Sequence, residues 1–388
     1  MPKVSVLAYF ADDVSRTYQL IQWLPVLELL HAEHPVGVVA RDLDSAAVLQ
    51  GRTSLPVLVA PSFPALHDLY DDVDPKVVLY CNNSILNFQS LLHGRALHVH
   101  VNHGESDKQS MASNNAKAYD RVFVAGEAAV QRHVAGLLEF DTSRLVRIGR
   151  PQLDLSRTSP LPEAADGRRT VLYAPTWEGD ADYNNYTSLD TVGRGVVRAI
   201  LDVPGVRLVY KPHPKIATSQ TPSIRDAHRD VLDLVADAAA RDPEAGHTVY
   251  VTGDILALMP SCDAMVTDVS SVGLDWLYLC TGKPLFVTDR HLDGERLRQE
   301  VPVSRCADVI EHVDGVAGET ALTALVEARL DHDEHHLARV AMRHHYFDDY
   351  QVGDSTLRFK TEVAELVALR DRLVGETGGD ETSAAIIA

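Results

Sequence analysis

Short apolar runs separated by longer amphipathic stretches set the rhythm of the chain. Val4 to Phe10 reads as a buried strand, and Val14 to Leu30 then carries its apolar residues at helical spacing. Val36-Gly37-Val38-Val39, Val57-Leu58-Val59-Ala60, Lys76-Val77-Val78-Leu79-Tyr80, Ala96 to Val101 and Arg121-Val122-Phe123-Val124 are further strand-like runs, with helical stretches or loops between them. Short apolar strands alternating with helices predict a mostly parallel sheet covered on both faces.

The rhythm pauses between Arg150 and Arg169, where Pro151, Pro160 and Pro162 sit among polar residues. It resumes at Thr170-Val171-Leu172-Tyr173-Ala174 and continues through Val206 to Tyr210, Thr248 to Val251, Ala264-Met265-Val266 and Pro284 to Val287. The expected organisation is an N-terminal α/β domain over residues 1–150, a linker over 151–169, a C-terminal α/β domain over 170–374 and a flexible tail over 375–388. The fold class expected is α/β and GT-B-like, with two Rossmann-like domains facing a central cleft. Ligands of open α/β sheets bind beyond the carboxyl ends of the strands, which directs attention to the loops that follow them.

Charge narrows the partners. The 388 residues carry 36 Lys and Arg against 55 Asp and Glu, a net charge of −19. Such a chain offers no broad basic face for nucleic acid and no general attraction to anionic lipid, so an anionic substrate must be held by a local cluster of donors. Cys81, Cys262, Cys280 and Cys306 are scattered, without metal-ligand spacing or a disulfide framework, and read as buried or free thiols of a reducing compartment. The N-terminus shows no signal-peptide pattern and no window is apolar for the length of a spanning helix, so a cytoplasmic protein is expected.

Five segments carry candidate chemistry, and the first four follow predicted strands. In His98-Val99-His100-Val101-Asn102-His103-Gly104-Glu105-Ser106-Asp107-Lys108, the two strand histidines share a face. His103 lies just past the strand, beside Gly104, where the backbone can turn tightly. Such a histidine can serve as a general base or simply bond to local backbone. Tyr173-Ala174-Pro175-Thr176-Trp177-Glu178 ends a strand in a proline turn with a hydroxyl and an indole. In Tyr210-Lys211-Pro212-His213-Pro214-Lys215, two prolines fix the backbone around a histidine and two lysines, which suits phosphate oxygens. Thr267-Asp268-Val269-Ser270-Ser271-Val272-Gly273 places two serines at a helix start, either as an anion site or as an ordinary cap. Last, Tyr346 to Thr356 is a polar, turn-forming stretch. The histidines before it (His332, His335, His336, His344, His345) have spacings that suit a metal on a helix face, but read better as a solvated helix. The chain has no GxxxxGK[ST], no GxGxxG after a strand, no HExxH and no GxSxG.

Together, in order and spacing, Tyr173-Ala174-Pro175-Thr176-Trp177, Lys211-Pro212-His213-Pro214, Thr267-Asp268-Val269-Ser270-Ser271-Val272 and Gly282-Lys283-Pro284 resemble the C-terminal half of the CDP-glycerol:poly(glycerophosphate) glycerophosphotransferase family. Asp348-Asp349 through Gly353-Asp354-Ser355 resembles its closing motif. The resemblance implies a GT-B fold with an acceptor-side N-terminal domain and a donor-binding C-terminal one. It also implies a CDP-activated polyol phosphate donor and a polyol-phosphate or saccharide polymer acceptor, which can be lipid-linked. It places the general base at His103 and a second essential histidine at His213. Gly104, Lys211, Thr176, Asp268, Ser270 and Ser271 fall on the donor and phosphate side. Two departures stand out: Glu105-Ser106-Asp107-Lys108 replaces the threonine-proline-leucine-lysine run that usually follows the His-Gly pair, and Glu178 replaces an arginine common after the tryptophan.

The reaction implied is transfer of a polyol phosphate, glycerol phosphate foremost, to a hydroxyl of a cell-wall or capsular polymer, with release of CMP. No metal and no cofactor are expected, no nucleic acid is a partner, and membrane contact would be peripheral, at the inner face. The alternatives are a GT-B glycosyltransferase or nucleotide-sugar 2-epimerase acting on a sugar carbon, and a non-catalytic nucleotide-binding protein on the same fold.

Overall fold

Two parallel sheets organise the chain in the computed structural model, which describes residues 4–179 and 181–384. The first sheet is built from β1 (Val6–Phe10), β2 (Val36–Ala40), β3 (Val57–Val59), β4 (Val77–Tyr80), β5 (Leu97–His100), β6 (Arg121–Val124) and β7 (Leu145–Arg147), in the order β3-β2-β1-β4-β5-β6-β7. The second contains β8 (Arg169–Ala174), β9 (Val206–Tyr210), β10 (Thr248–Val249), β11 (Ala264–Thr267), β12 (Leu285–Thr288) and β13 (Asp308–Ile310), in the order β10-β9-β8-β11-β12-β13. Every pairing is parallel.

Period-two geometry sends alternate residues of a strand to opposite faces. On β1, Val6, Ala8 and Phe10 enter a core with the helix Leu24–His31, whereas Leu7 and Tyr9 enter a second core with the helix Phe63–Val73. Both faces are therefore apolar, and the strands read as unbroken hydrophobic runs. In the second sheet, Val171, Tyr173, Leu208 and Tyr210 pack against the helix Gly193–Leu201.

The predicted strands all form, but the edge strands β7 and β13 lie outside them. Each is three residues long, and Arg147 in one and Asp308 in the other keep it from presenting an apolar run. The helical spacing over Val14 to Leu30 resolves into a 3₁₀ turn (Val14–Arg16), a short helix (Tyr18–Ile21) and the helix Leu24–His31, with Pro25 in the first turn of the last. Proline lacks an N–H and fits the first turn of a helix, not its interior, so the segment restarts there.

The chain divides into two compact units that differ from the sequence-based partition. One takes in the chain up to Gly104, Ala112–Leu155 and the segment from Phe347 onward; the other takes in Glu105–Met111 and Ser156–Tyr346. The final helix, Asp354–Ala384, belongs to the first unit, where Phe359, Val363, Leu366 and Val367 fill the core beside Trp23 and Phe123. It also covers part of the stretch read as a flexible tail, and residues 385–388 lie outside the described ones. Ser355 and Thr356 of the closing motif anchor this helix: Arg150 N–H donates to Ser355 Oγ at 3.1 Å and Thr356 N–H to Asp154 Oδ2 at 2.6 Å. The four cysteines are free and buried, and burial pushes the Cys262 and Cys306 thiols up to about 12. Among the described residues no helix is long and apolar enough to cross a membrane.

Candidate functional site

In the first unit the chemistry sits past the end of β5. His98 and His100 are core residues. His98 Nδ1 pairs with the Tyr80 hydroxyl at 2.7 Å, and burial lowers the pKa of His98 and takes His100 to about 4, so both are neutral. His103 is different. The preceding Asn102 adopts the left-handed conformation (φ 51°), so the turn that the sequence placed at Gly104 has its left-handed residue at Asn102. Asn102 Oδ1 accepts the His103 N–H at 2.8 Å, and its carbonyl accepts the Trp23 indole N–H at 2.5 Å. His103 Nδ1 lies 3.2 Å from the Cys81 carbonyl, which can only accept. In the neutral ring the proton is therefore on Nδ1, which puts the lone pair a general base needs on Nε2. Tyr18 packs edge-on against the ring at 6.1 Å.

In the second unit the candidates gather at the carboxyl ends of β8, β9 and β11. Lys211 N–H donates to the Tyr173 carbonyl at 2.9 Å and His213 N–H to the Pro175 carbonyl at 3.0 Å, so the Lys-Pro-His-Pro turn is zipped to the Pro-Thr-Trp turn beside it. His213 caps the 3₁₀ turn Pro214–Thr218: its Nδ1 accepts the Lys215 N–H at 3.2 Å. The neutral ring accordingly has its proton on Nε2, the opposite tautomer to His103, and presents a donor. The Trp177 indole stacks on this ring (centroids 6.0 Å apart, planes 25°) and carries the Lys215 ammonium 3.9 Å from its own centroid.

Lys211 is 4% exposed, and the bond its Nζ makes is a long one, 3.5 Å, to the Pro212 carbonyl. Desolvation brings its pKa down to about 8, against the pull of Asp254. A buried ammonium so weakly paired has the chemistry to hold an anion. Ser270 is the N-cap of the helix Ser271–Leu279, yet its side chain makes no capping bond, and its buried Oγ has no partner among the described residues. The ordinary-cap reading of this serine therefore fails. Its hydroxyl stands with the N–H groups at the start of that helix, where the dipole favours an anion.

Asp268 plays another part. It is 1% exposed and accepts from Thr176 N–H at 2.6 Å, Ser188 N–H at 3.1 Å and Thr288 Oγ at 2.5 Å, and burial nevertheless pushes its pKa up to about 6. It ties the loop after β8 and the last residue of β12 to the loop after β11, and Thr176 takes part through its backbone N–H. Lys108 lies in the segment Glu105–Met111 that belongs to this unit. Its Nζ is 5.6 Å from the Tyr186 ring centroid, and burial lowers it to about 8 against the pull of Asp268.

The structure thus brings Thr176, Lys211, His213, Asp268, Ser270 and Ser271 to one end of one sheet, while His103 and Gly104 end a strand of the other unit. Sequence reasoning missed Thr288 and Asp289, and it read Ser188 only as part of a polar loop, Asn184 to Ser188, that either lines the cleft or is solvated. Asp289 is 2% exposed and holds the N–H groups of His291 and Asp293. Thr288 and Asp289 follow Pro284 to Val287 and carry the same signal, polar residues just past a strand, that singled out the other loops. The metal spacing of His332, His335 and His336 does not survive folding, because the helix Gly315–Asp331 ends at His332 and the next begins at His336. Among the described residues no group of three or more His, Cys, Asp or Glu side chains could hold a metal ion.

Solved structures share this architecture. A putative UDP-N-acetylglucosamine 2-epimerase from Listeria monocytogenes superposes with a TM-score of 0.59 at 14% identity, over 92% of this chain and 95% of that one. A glycosyltransferase from Rickettsia africae gives 0.53 at 13% identity, over 95% and 99%. The wall teichoic acid polymerase TagF gives 0.57 at 11%, over 94% and 89%. At such identities the likeness establishes the fold: two parallel-sheet α/β units of the GT-B class. The narrower placement comes from sequence. Residues 89–304, which include all eight candidate residues, match the model of the CDP-glycerol:poly(glycerophosphate) glycerophosphotransferases, and the chain belongs to that family. No individual curated protein matches it by sequence.

Proposed function

We propose that this chain transfers glycerol phosphate, or a related polyol phosphate, from a CDP-activated donor to a hydroxyl of a cell-wall or capsular polymer and releases CMP. Family membership gives the reaction class. The observation that carries the reading on this chain is the buried, weakly paired Lys211 ammonium together with the uncapped Ser270 hydroxyl, both at strand ends of one sheet. These groups suit a pyrophosphate.

In the reaction, an acceptor oxygen attacks the donor phosphorus that bears the polyol. A new P–O bond forms, the bond to the CMP oxygen breaks, and the acceptor proton passes to His103 Nε2. His213 Nε2–H and Lys211 offset the charge gathering on the phosphate oxygens. Asp268 holds Thr176 and Ser188 in place by their backbones and touches no reacting atom. An acceptor on a lipid carrier would bring the protein to the inner face of a membrane from the cytoplasm, through the acceptor itself, since the net charge of −19 gives anionic lipid no general hold.

The test is a panel of CDP- and UDP-activated donors offered to the purified protein and scored by the nucleotide released. CMP release with a new phosphodiester is the expected result. UDP release from a nucleotide sugar would move the chemistry to a sugar carbon and overturn the reading.

A further inference from the structure

The loop after β8 holds two buried hydrogen-bond acceptors that lack donors among the described residues. Glu178 follows the Trp177 that stacks on His213; its Oε1 accepts from the Ser219 hydroxyl, while its Oε2 is buried and accepts from nothing among the described residues. Asn184 Oδ1 is buried without a donor in the same way. Gly179 draws the two residues together: it sits at φ 78°, and a Cβ there would lie 2.8 Å from the Asn184 carbonyl oxygen. Unpaired buried acceptors are costly, a carboxylate oxygen most of all, so their persistence points to a group that supplies donors when it binds.

The chemistry of that group follows from what the loop rejects. Phosphate oxygens are acceptors and would face two more acceptors. A cation would meet positive charge already in place, since the Lys215 ammonium rests on the adjoining Trp177 ring. Uncharged O–H donors satisfy both oxygens at no electrostatic cost. We infer that Glu178 and Asn184 bind hydroxyls of the donor substrate, a diol seated against the loop at the end of β8. This rests on the transferase reading above and adds to it the part of the donor that is recognised by something other than its charge. A CDP-polyol has two such parts, the ribose and the polyol.

The two are separated by calorimetry with CMP, 2′-deoxy-CMP, CDP-glycerol and CDP-ethanolamine on wild-type protein, Glu178→Ala and Asn184→Ala. Glu178→Ala should weaken the hydroxyl-bearing ligand by about 10- to 100-fold, as befits a hydrogen bond to a charged group. It should leave the thermal midpoint of the ligand-free protein unchanged or raised, because an unpaired buried carboxylate oxygen has gone. If CMP weakens and 2′-deoxy-CMP does not, the diol is the ribose. If CMP is unaffected and CDP-glycerol weakens relative to CDP-ethanolamine, it is the polyol. Glu178→Gln, which keeps an acceptor for Ser219, carries the same comparison should the alanine variant not fold. Variants that bind all four ligands like wild type overturn this inference and leave the transferase reading standing. Wild-type protein that binds none of them overturns both.

Discussion

At the scale of single residues, the two histidines are distinguished by which ring nitrogen the backbone claims. The Cys81 carbonyl faces Nδ1 of His103 and can only accept there, whereas Lys215 N–H donates to Nδ1 of His213, so the neutral rings hold opposite tautomers; the proposed roles of base and donor follow from that difference. Loss of a donor that acts on developing charge lowers kcat and kcat/KM together. His213→Ala should cost about 10²- to 10³-fold in both, the range of one preorganised donor, and His213→Gln should keep part of the rate because its amide still donates. An unchanged kcat in a folded His213→Ala variant, checked by steady-state kinetics and circular dichroism, would place this ring outside the reaction. Lys211 sets a pH dependence. Its folded pKa of about 8 lies below its ordinary 10.5, so donor affinity should fall as pH rises through about 8 and the ammonium becomes neutral. The same depression means that its burial costs stability below about 8, a cost that fades as pH climbs towards 10.5, where the unfolded chain also loses the proton. Lys211→Met should accordingly bind donor more weakly at neutral pH, show a shallower fall between pH 7 and 9, and unfold at higher urea. A wild-type affinity flat across that range by calorimetry would remove Lys211 from the donor site.

At the scale of elements, the junction after β7 carries a prediction of its own. Gly149 has φ 72°, and a Cβ there would meet Ser355 Oγ at 2.1 Å and Ser355 Cβ at 2.9 Å. Gly149→Ala adds left-handed strain of about 1–2 kcal/mol to that overlap, so a loss of about 2 kcal/mol or more is expected in urea unfolding. Adding Ser355→Gly removes the overlapping atoms, and the double variant should be more stable than the two single losses summed; strict additivity would show that the overlap is not the cause. Interior strands, helix starts and the loops that follow strands were legible in the sequence, because buried parallel strands are apolar on both faces. The edge strands β7 and β13 were not, because Arg147 in one and Asp308 in the other break the apolar run that the equally short edge strand β3 keeps. Of the candidate site, residue types at strand ends could be read directly, but roles that depend on partners could not. Asp268 looks like a ligand in sequence and becomes a tie between loops only once Ser188 and Thr288 are brought to it. Ser270 looks like a cap until its hydroxyl is seen to lack a partner among the described residues. The closing motif fastens the last helix to residues 150–154, a pairing some 200 residues apart that no local pattern announces.

At the scale of the whole molecule, acidity and local cation placement work together. With a net charge of −19, burial sets Lys211 apart from the acidic surface. The chain also leaves its first unit at Gly104, returns at Ala112, leaves at Leu155 and returns at Phe347. That path has a consequence for biosynthesis. The core beneath β1 and β2 is closed by Phe359, Val363, Leu366 and Val367, which leave the ribosome long after those strands. The second unit draws almost all its residues from Ser156–Tyr346 and can complete itself while the N-terminal strands are still exposed. A nascent chain stalled short of its final helix therefore displays the apolar floor of its first sheet to solvent, a state that chaperones bind and proteases clear. Synthesis through Val367 becomes the checkpoint that closes the first core.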